Sequence, residues 1–124
     1  HVMHLVSDIR GRARAGVNSL DVLRAGVPAG TLSGAPKIRA MEIISEIEKT
    51  PRGAYSGGVG YVSFADDMDM AIAIRTFFKT GSVLRIHAGA GIVYDSIPAR
   101  EYVETVNKMR VLHAAVEMAR TVFT

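Results

Sequence analysis

The sequence predicts an α+β fold, with helices packed on an antiparallel sheet. Apolar residues recur at helical spacing near residues 18–26, 37–47 and 96–123. Glycine-bounded runs that are alternating or continuously apolar mark strands at 57–64, 69–78 and 83–93. These segments come in blocks (a strand, two helices, three strands, a helix) rather than in strand–helix alternation, which favours α+β layering over a parallel sheet.

Each element has a local reason. Val2, Leu5, Val6 and Ile9 form a short apolar segment read as a first strand, ended by the loop "RGRARAG". It has no polar leader, so the chain is expected to be a fragment. Asn18 or Ser19 caps a helix through Leu20, Val22 and Leu23 that closes near Gly26 and Pro28. A small-residue turn follows, then a helix with Ile38, Met41, Ile44 and Ile47 on one face and Pro36 in its first turn. Pro51 and Gly53 in "EKTPRG" stop that helix. "GGVGYVSF", "DMAIAIRTFF" and "VLRIHAGAGIV" read as three strands of a meander, the last two joined by a hairpin turn at "KTGS". The longest helix follows, with Ser96 as cap, Pro98 early, and a stripe of Tyr102, Val106, Met109, Leu112 and Val116.

The 124 residues suffice for one domain with a core. Nearly half are apolar and 22% are charged, which is globular composition. There is no cysteine, so neither disulfides nor thiolate chemistry are available. No apolar run approaches the roughly 20 residues that span a bilayer, no signal-peptide pattern opens the chain, and a soluble cytoplasmic protein is expected. The net charge of +3 does not make a nucleic-acid interface, because Arg10, Arg12 and Arg14 lack interleaved aromatic residues. An anionic small molecule accounts for the same excess.

Four features bear on chemistry, each with a plainer reading beside it. Gly30, Thr31, Ser33 and Gly34 place hydroxyls and flexible backbone just before a helix, where an anion is favoured; taken alone, the stretch favours the plainer reading of a self-capped turn. Gly89 and Gly91 in "HAGAGIV" admit a close approach to the backbone by a ligand or by a packed neighbour. Glu101, Glu104 and Lys108 share one helical face, as dipole and i,i+4 partners or as hard oxygen donors for Mg²⁺. Arg75, inside an apolar run, needs an anionic partner, whether a substrate carboxylate or an internal acid. His4, between apolar residues, is either a hydrogen-bonded core residue or a catalyst.

Six segments, "HVMHLVS", "PAGTLSGAPKIRAMEII", "RGAYSGGVGYVSF", "AIAIRT", "AGAGIV" and "DSIPAREYVETVNK", together resemble the C-terminal part of the chorismate-utilising enzymes, within them most closely the anthranilate synthase component I branch. They run in the family order and cover nearly the whole chain. The resemblance implies a fragment of that family's two-layer α/β sandwich, with residues 1–124 as the C-terminal portion of a chorismate-binding domain. It implies Mg²⁺-dependent conversion of chorismate and ammonia to anthranilate and pyruvate, with ammonia from a glutamine amidotransferase subunit (component II). By the same resemblance His4 is the catalytic histidine near the departing ring hydroxyl. Thr31, Tyr55, Arg75 and the backbone at Gly89, Ala90 and Gly91 line the chorismate site, with Lys108 close by. Glu104 is a metal ligand, with Glu101 beside it, direct or through water.

The family's domain is considerably longer, and its second metal-binding glutamate lies just before the segment matching "HVMH". The chain alone is therefore expected to be inactive, and a homodimer is expected to cover its exposed sheet edge. Aminodeoxychorismate synthase of folate synthesis shares the pattern and is the close alternative. The isochorismate and salicylate synthases depart further around "APKIRAMEII". A non-catalytic assembly module is the alternative from another class.

Overall fold

A computed structural model of the chain describes residues 5–122. Helix α1 (Ser19–Gly26) begins with a capping box: Asn18 Oδ1 accepts the Asp21 amide at 3.0 Å, and Asp21 Oδ2 accepts the Asn18 amide at 3.2 Å. The stretch read as a plain turn contains a single helical turn, α2 (Gly30–Ser33). Gly34 then reverses the chain at φ 90°, a conformation glycine adopts without penalty. Pro36 sits at the N-cap of α3 (Lys37–Ile47), just before the first turn rather than inside it.

Among the described residues, four short strands stand where a three-stranded meander was expected. Strand β1 (Gly58–Val62) pairs antiparallel with β2 (Met68–Ile72), Gly60 opposite Met70. Strand β3 (Phe77–Thr80) pairs with β4 (Val83–Ile86), Thr80 opposite Val83, across a tight turn with Gly81 at φ 57°. The two hairpins form separate two-stranded sheets, not one meander. The break lies inside the apolar run: the Ile74 amide donates back to Ile72 O, and Arg75 adopts φ 51°. An extended strand cannot pass through a left-handed residue, so "DMAIAIRTFF" splits into β2 and β3.

Helix α4 (Pro98–Val122) closes the chain. Its expected stripe is realised in Leu112, which is buried, and in half-buried Val106, Met109 and Val116, whereas Tyr102 is exposed. Ser96 accepts the Val93 amide at 3.0 Å, so its hydroxyl serves the turn before the helix. The expected first strand is not formed over residues 5–9: Leu5, Val6 and Ile9 are exposed and pair with no strand among the described residues. Its start, including His4, lies outside the described residues.

Among the described residues the buried apolar side chains are Ala73, just past β2, and Leu112 of α4. Large apolar side chains on other faces, among them Ile38, Ile47, Val59 and Phe64, face solvent. No helix among the described residues is long and apolar enough to cross a membrane.

Two contacts outside the core make testable claims. A Cβ at position 60 would lie 2.0 Å from the Asp69 carbonyl oxygen and 2.8 Å from Met70 Cα. Those atoms are backbone of the paired strand and cannot step aside. Gly60→Ala is expected to destabilise the full-length protein by about 3 kcal/mol, read as a lower denaturation midpoint. An unchanged midpoint would refute the close approach.

The second contact ties the β1–β2 turn to α1. Asp66, at φ 66°, accepts from the Ser19 amide at 3.1 and 3.2 Å and from Ser19 Oγ at 2.5 Å; Ser19 is buried. The hydroxyl bond, then the amide bonds, hold the Asp66 carboxyl below its ordinary value of 3.8. A depressed carboxyl stabilises the fold above its unfolded-state pKa, and that contribution fades as pH falls through the folded-state value. Asp66→Asn should therefore be less stable than the parent near neutral pH. The two should converge in acid, as pH falls through the lowered folded-state value, as followed by thermal midpoints across pH.

Candidate functional site

A cleft of about 220 Å³ opens between α2, the loop after α3, the β2–β3 break, the segment after β4 and the side of α4. Each contributes what its local structure exposes. Helix α2 presents Thr31, and the loop after α3 presents Arg52, Tyr55 and Ser56. The β2–β3 break presents Ile74 and Arg75, and residues 87–91 form the far rim. Lys108 and the buried Leu112 come from α4, so the small core lies directly behind the cleft. Ser56 and Arg75, both on the lining, are non-glycine residues at positive φ (70° and 51°). Such backbone costs on the order of 1 kcal/mol or more and concentrates where side-chain placement matters.

The centre of the wall is Tyr55. Its ring meets His87 at a centroid distance of 5.4 Å, and the Arg52 guanidinium stands 5.9 Å from its centroid. A Cβ at position 89 would come 3.0 Å from the Tyr55 hydroxyl, whereas position 91 faces open space. The neighbour that Gly89 accommodates is thus Tyr55. Lys108 Nζ donates to Gly89 O at 2.9 Å and pairs with Glu104 Oε1 at 2.5 Å, fixing the glycine rim to α4. Hydrogen bonding from Arg52 holds the Glu48 carboxyl below its ordinary range, and the same pairing raises the Arg52 pKa.

Three cations, Arg52, Arg75 and Lys108, reach the lining, and no carboxylate does among the described residues. With polar groups around the apolar side chains of Ile74 and Leu112, the cleft suits a small anionic molecule.

The seven residues expected to bind substrate, Thr31, Tyr55, Arg75, Gly89, Ala90, Gly91 and Lys108, all line this cleft. Glu101 and Glu104 do not; Glu104 reaches the rim only through its pair with Lys108. No group of three metal-ligating side chains occurs among the described residues. Two carboxylates in the first turns of α4 nonetheless match the donor chemistry of Mg²⁺, which commonly takes one or two carboxylates and completes its shell with water and substrate. His4 lies outside the described residues. Reading by motif passed over Arg52 and His87. Arg52 stands four residues after Glu48, a spacing that pairs charges but does not by itself point to a site.

A family model described as chorismate binding enzyme matches residues 1–114. The chain belongs to the chorismate binding enzyme family. It is 57% identical over 119 residues to anthranilate synthase component 1 of Aquifex aeolicus and 55% identical over 119 residues to that of Pseudomonas aeruginosa. Each alignment covers 96% of this chain and 24% of the relative. The chain thus spans about a quarter of the length of these curated relatives. Among solved structures, anthranilate synthase component I from Streptococcus pneumoniae TIGR4 superposes with a TM-score of 0.76 at 54% identity, over 79% of this chain and 22% of that one. The match to this chorismate binding enzyme places the α+β fold in the same family.

Proposed function

We propose that this chain is the C-terminal part of the catalytic domain of a full-length enzyme that makes anthranilate and pyruvate from chorismate and ammonia. The observation that carries the reading is the convergence of seven residues from well-separated segments on one cation-lined cleft. The similarity to anthranilate synthase component 1 of several bacteria supports the choice of product over the aminodeoxychorismate alternative.

In this reading the Arg75 fork receives a substrate carboxylate, and the backbone at Gly89–Gly91 borders it. Thr31 and Tyr55 offer hydroxyls to the ring substituents, while Ile74 and Leu112 exclude water beneath it. Lys108 adds positive charge at the rim and keeps Glu104 in place. His4 is assigned the proton for the departing ring hydroxyl, a poor leaving group without one. Glu104, with Glu101 beside it, would hold Mg²⁺, which when bound supplies positive charge against the substrate's carboxylate. Ammonia comes from a glutamine amidotransferase subunit, and the enzyme acts in tryptophan biosynthesis in the cytoplasm.

The test is product formation from chorismate, ammonium and Mg²⁺, followed by anthranilate fluorescence and mass spectrometry. The full-length enzyme should yield anthranilate, and the 124-residue chain alone should yield none. Aminodeoxychorismate from the full-length enzyme would transfer the assignment to the folate branch. Anthranilate from the chain alone would show that the remaining length is dispensable.

A further inference from the structure

Arg52 occupies a position that binding of a substrate does not by itself explain. Its guanidinium forks onto Glu48, the C-cap of α3, with Nε donating to Oε2 at 2.7 Å and Nη2 to Oε1 at 2.5 Å. The third nitrogen, Nη1, turns the other way. It donates to Ser56 Oγ at 3.3 Å and to Leu32 O at 3.4 Å, and Leu32 follows Thr31 in α2. The Arg52 guanidinium also lies near the Tyr55 ring. One side chain therefore joins the end of α3, the helical turn bearing Thr31, and the loop bearing Tyr55.

The arrangement is specific to a planar fork. Lysine carries the charge but cannot bind both Glu48 oxygens and reach two further acceptors in one plane. Because the carboxylate of Glu48 already occupies two of its nitrogens, Arg52 is poorly placed to serve as the main substrate anion partner. The Arg52 side chain is 28% exposed, so its bonds are partly shielded from water.

We infer that Arg52 is a positioning residue for the substrate cleft: clamped by Glu48, it sets the spacing between the Thr31 turn and Tyr55. The inference rests on the reading of the cleft as a chorismate site and assigns that site a residue which touches its walls rather than the reacting atoms. A mere strut for the α3 end would affect stability alone. A positioning residue changes substrate affinity, and part of its effect passes through Tyr55.

The experiment uses the full-length enzyme with ammonium as nitrogen donor, comparing Arg52→Lys, Tyr55→Phe and the double variant. KM for chorismate, chorismate Kd by calorimetry, half-saturating Mg²⁺ and thermal midpoint are measured for each. Arg52→Lys should raise KM and Kd about tenfold, since small displacements of a binding wall are costly, with half-saturating Mg²⁺ unchanged. In the Tyr55→Phe background the same substitution should raise them by only about threefold, because the two residues act in one contact network. Equal factors in both backgrounds, or a lowered midpoint with unchanged KM and Kd, would overturn the inference. Should Arg52→Lys fail to fold, Glu48→Gln loosens the clamp from its other end and should raise KM in the same direction; an unchanged KM there overturns the inference equally. Anthranilate formation by the unsubstituted enzyme tests the chorismate reading separately, while the ratios between variants test Arg52.

Discussion

Glu104→Ala in the full-length enzyme should lower Mg²⁺-dependent anthranilate formation by more than about 100-fold, because loss of a metal-bound carboxylate removes both a ligand and its charge. Association with the amidotransferase subunit should persist. Glu104 stands in the first turns of α4 and is linked through Lys108 to Gly89 O at the cleft rim, so Glu104, with Glu101 beside it, would hold a metal that supplies positive charge next to the cleft. Glu104→Gln is the sharper variant: it keeps the side chain's size and a hydrogen bond to Lys108 while deleting the negative charge. Both variants should respond to higher Mg²⁺ with partial recovery. Activity and Mg²⁺ dependence like those of the parent would refute the metal assignment and leave Glu104 as an ordinary i,i+4 partner of Lys108.

Arg75→Gln should raise KM for chorismate on the order of 100-fold, the scale expected when a charged, two-pronged hydrogen-bond partner is lost from a carboxylate site. Arg75→Lys should fall between Gln and the parent, since charge survives but the fork does not. The backbone makes an independent prediction of opposite sign. Arg75 sits at φ 51°, where glycine is at ease. Arg75→Gly should hold or raise stability by up to about 1 kcal/mol while losing chorismate binding. Thermal midpoint and KM moving in these opposite directions would mark Arg75 as a residue kept for binding at a cost to the fold. A KM for Arg75→Gln within twofold of the parent would remove it from the site.

The parts of the fold that local chemistry determines were legible in the residues. Asn18 and Asp21 fix the start of α1 through their own side chains, and Gly81 fixes the β3–β4 turn. The long apolar stripe of α4 delivered Leu112 to the core. What escaped was non-local or rested on an uncharacteristic backbone. Nothing in "AIAIRTFF" announces that an arginine will take a left-handed conformation, so the residues alone predict one strand and a meander where the fold has two strands and two hairpins. Periodicity also reports which face an element is suited to bury, not what covers it. Ile38 and Ile47 follow the helical pattern of α3 and are nevertheless exposed.

The site was legible to a different degree. Glycines, hydroxyls and a lone arginine each admitted a plain structural reading, and only the resemblance of six ordered segments joined them before the fold did. Arg52 and His87 stayed hidden because their partners, Leu32 and Tyr55 for one and Tyr55 and Phe78 for the other, meet them through contacts whose geometry only the folded chain specifies. The four-residue Glu48–Arg52 spacing permits an ion pair, but nothing in it shows that the pair stands at a cleft.

The central claim is that the cleft behind Thr31, Tyr55 and Arg75 is where chorismate binds. A crystal structure of the full-length enzyme with chorismate and Mg²⁺, trapped in a slow His4 variant, tests it most directly. Ligand density should lie in this cleft, with one carboxylate on the Arg75 guanidinium and the ring against Gly89–Gly91. Density for chorismate elsewhere, with the cleft filled only by water, would contradict the account.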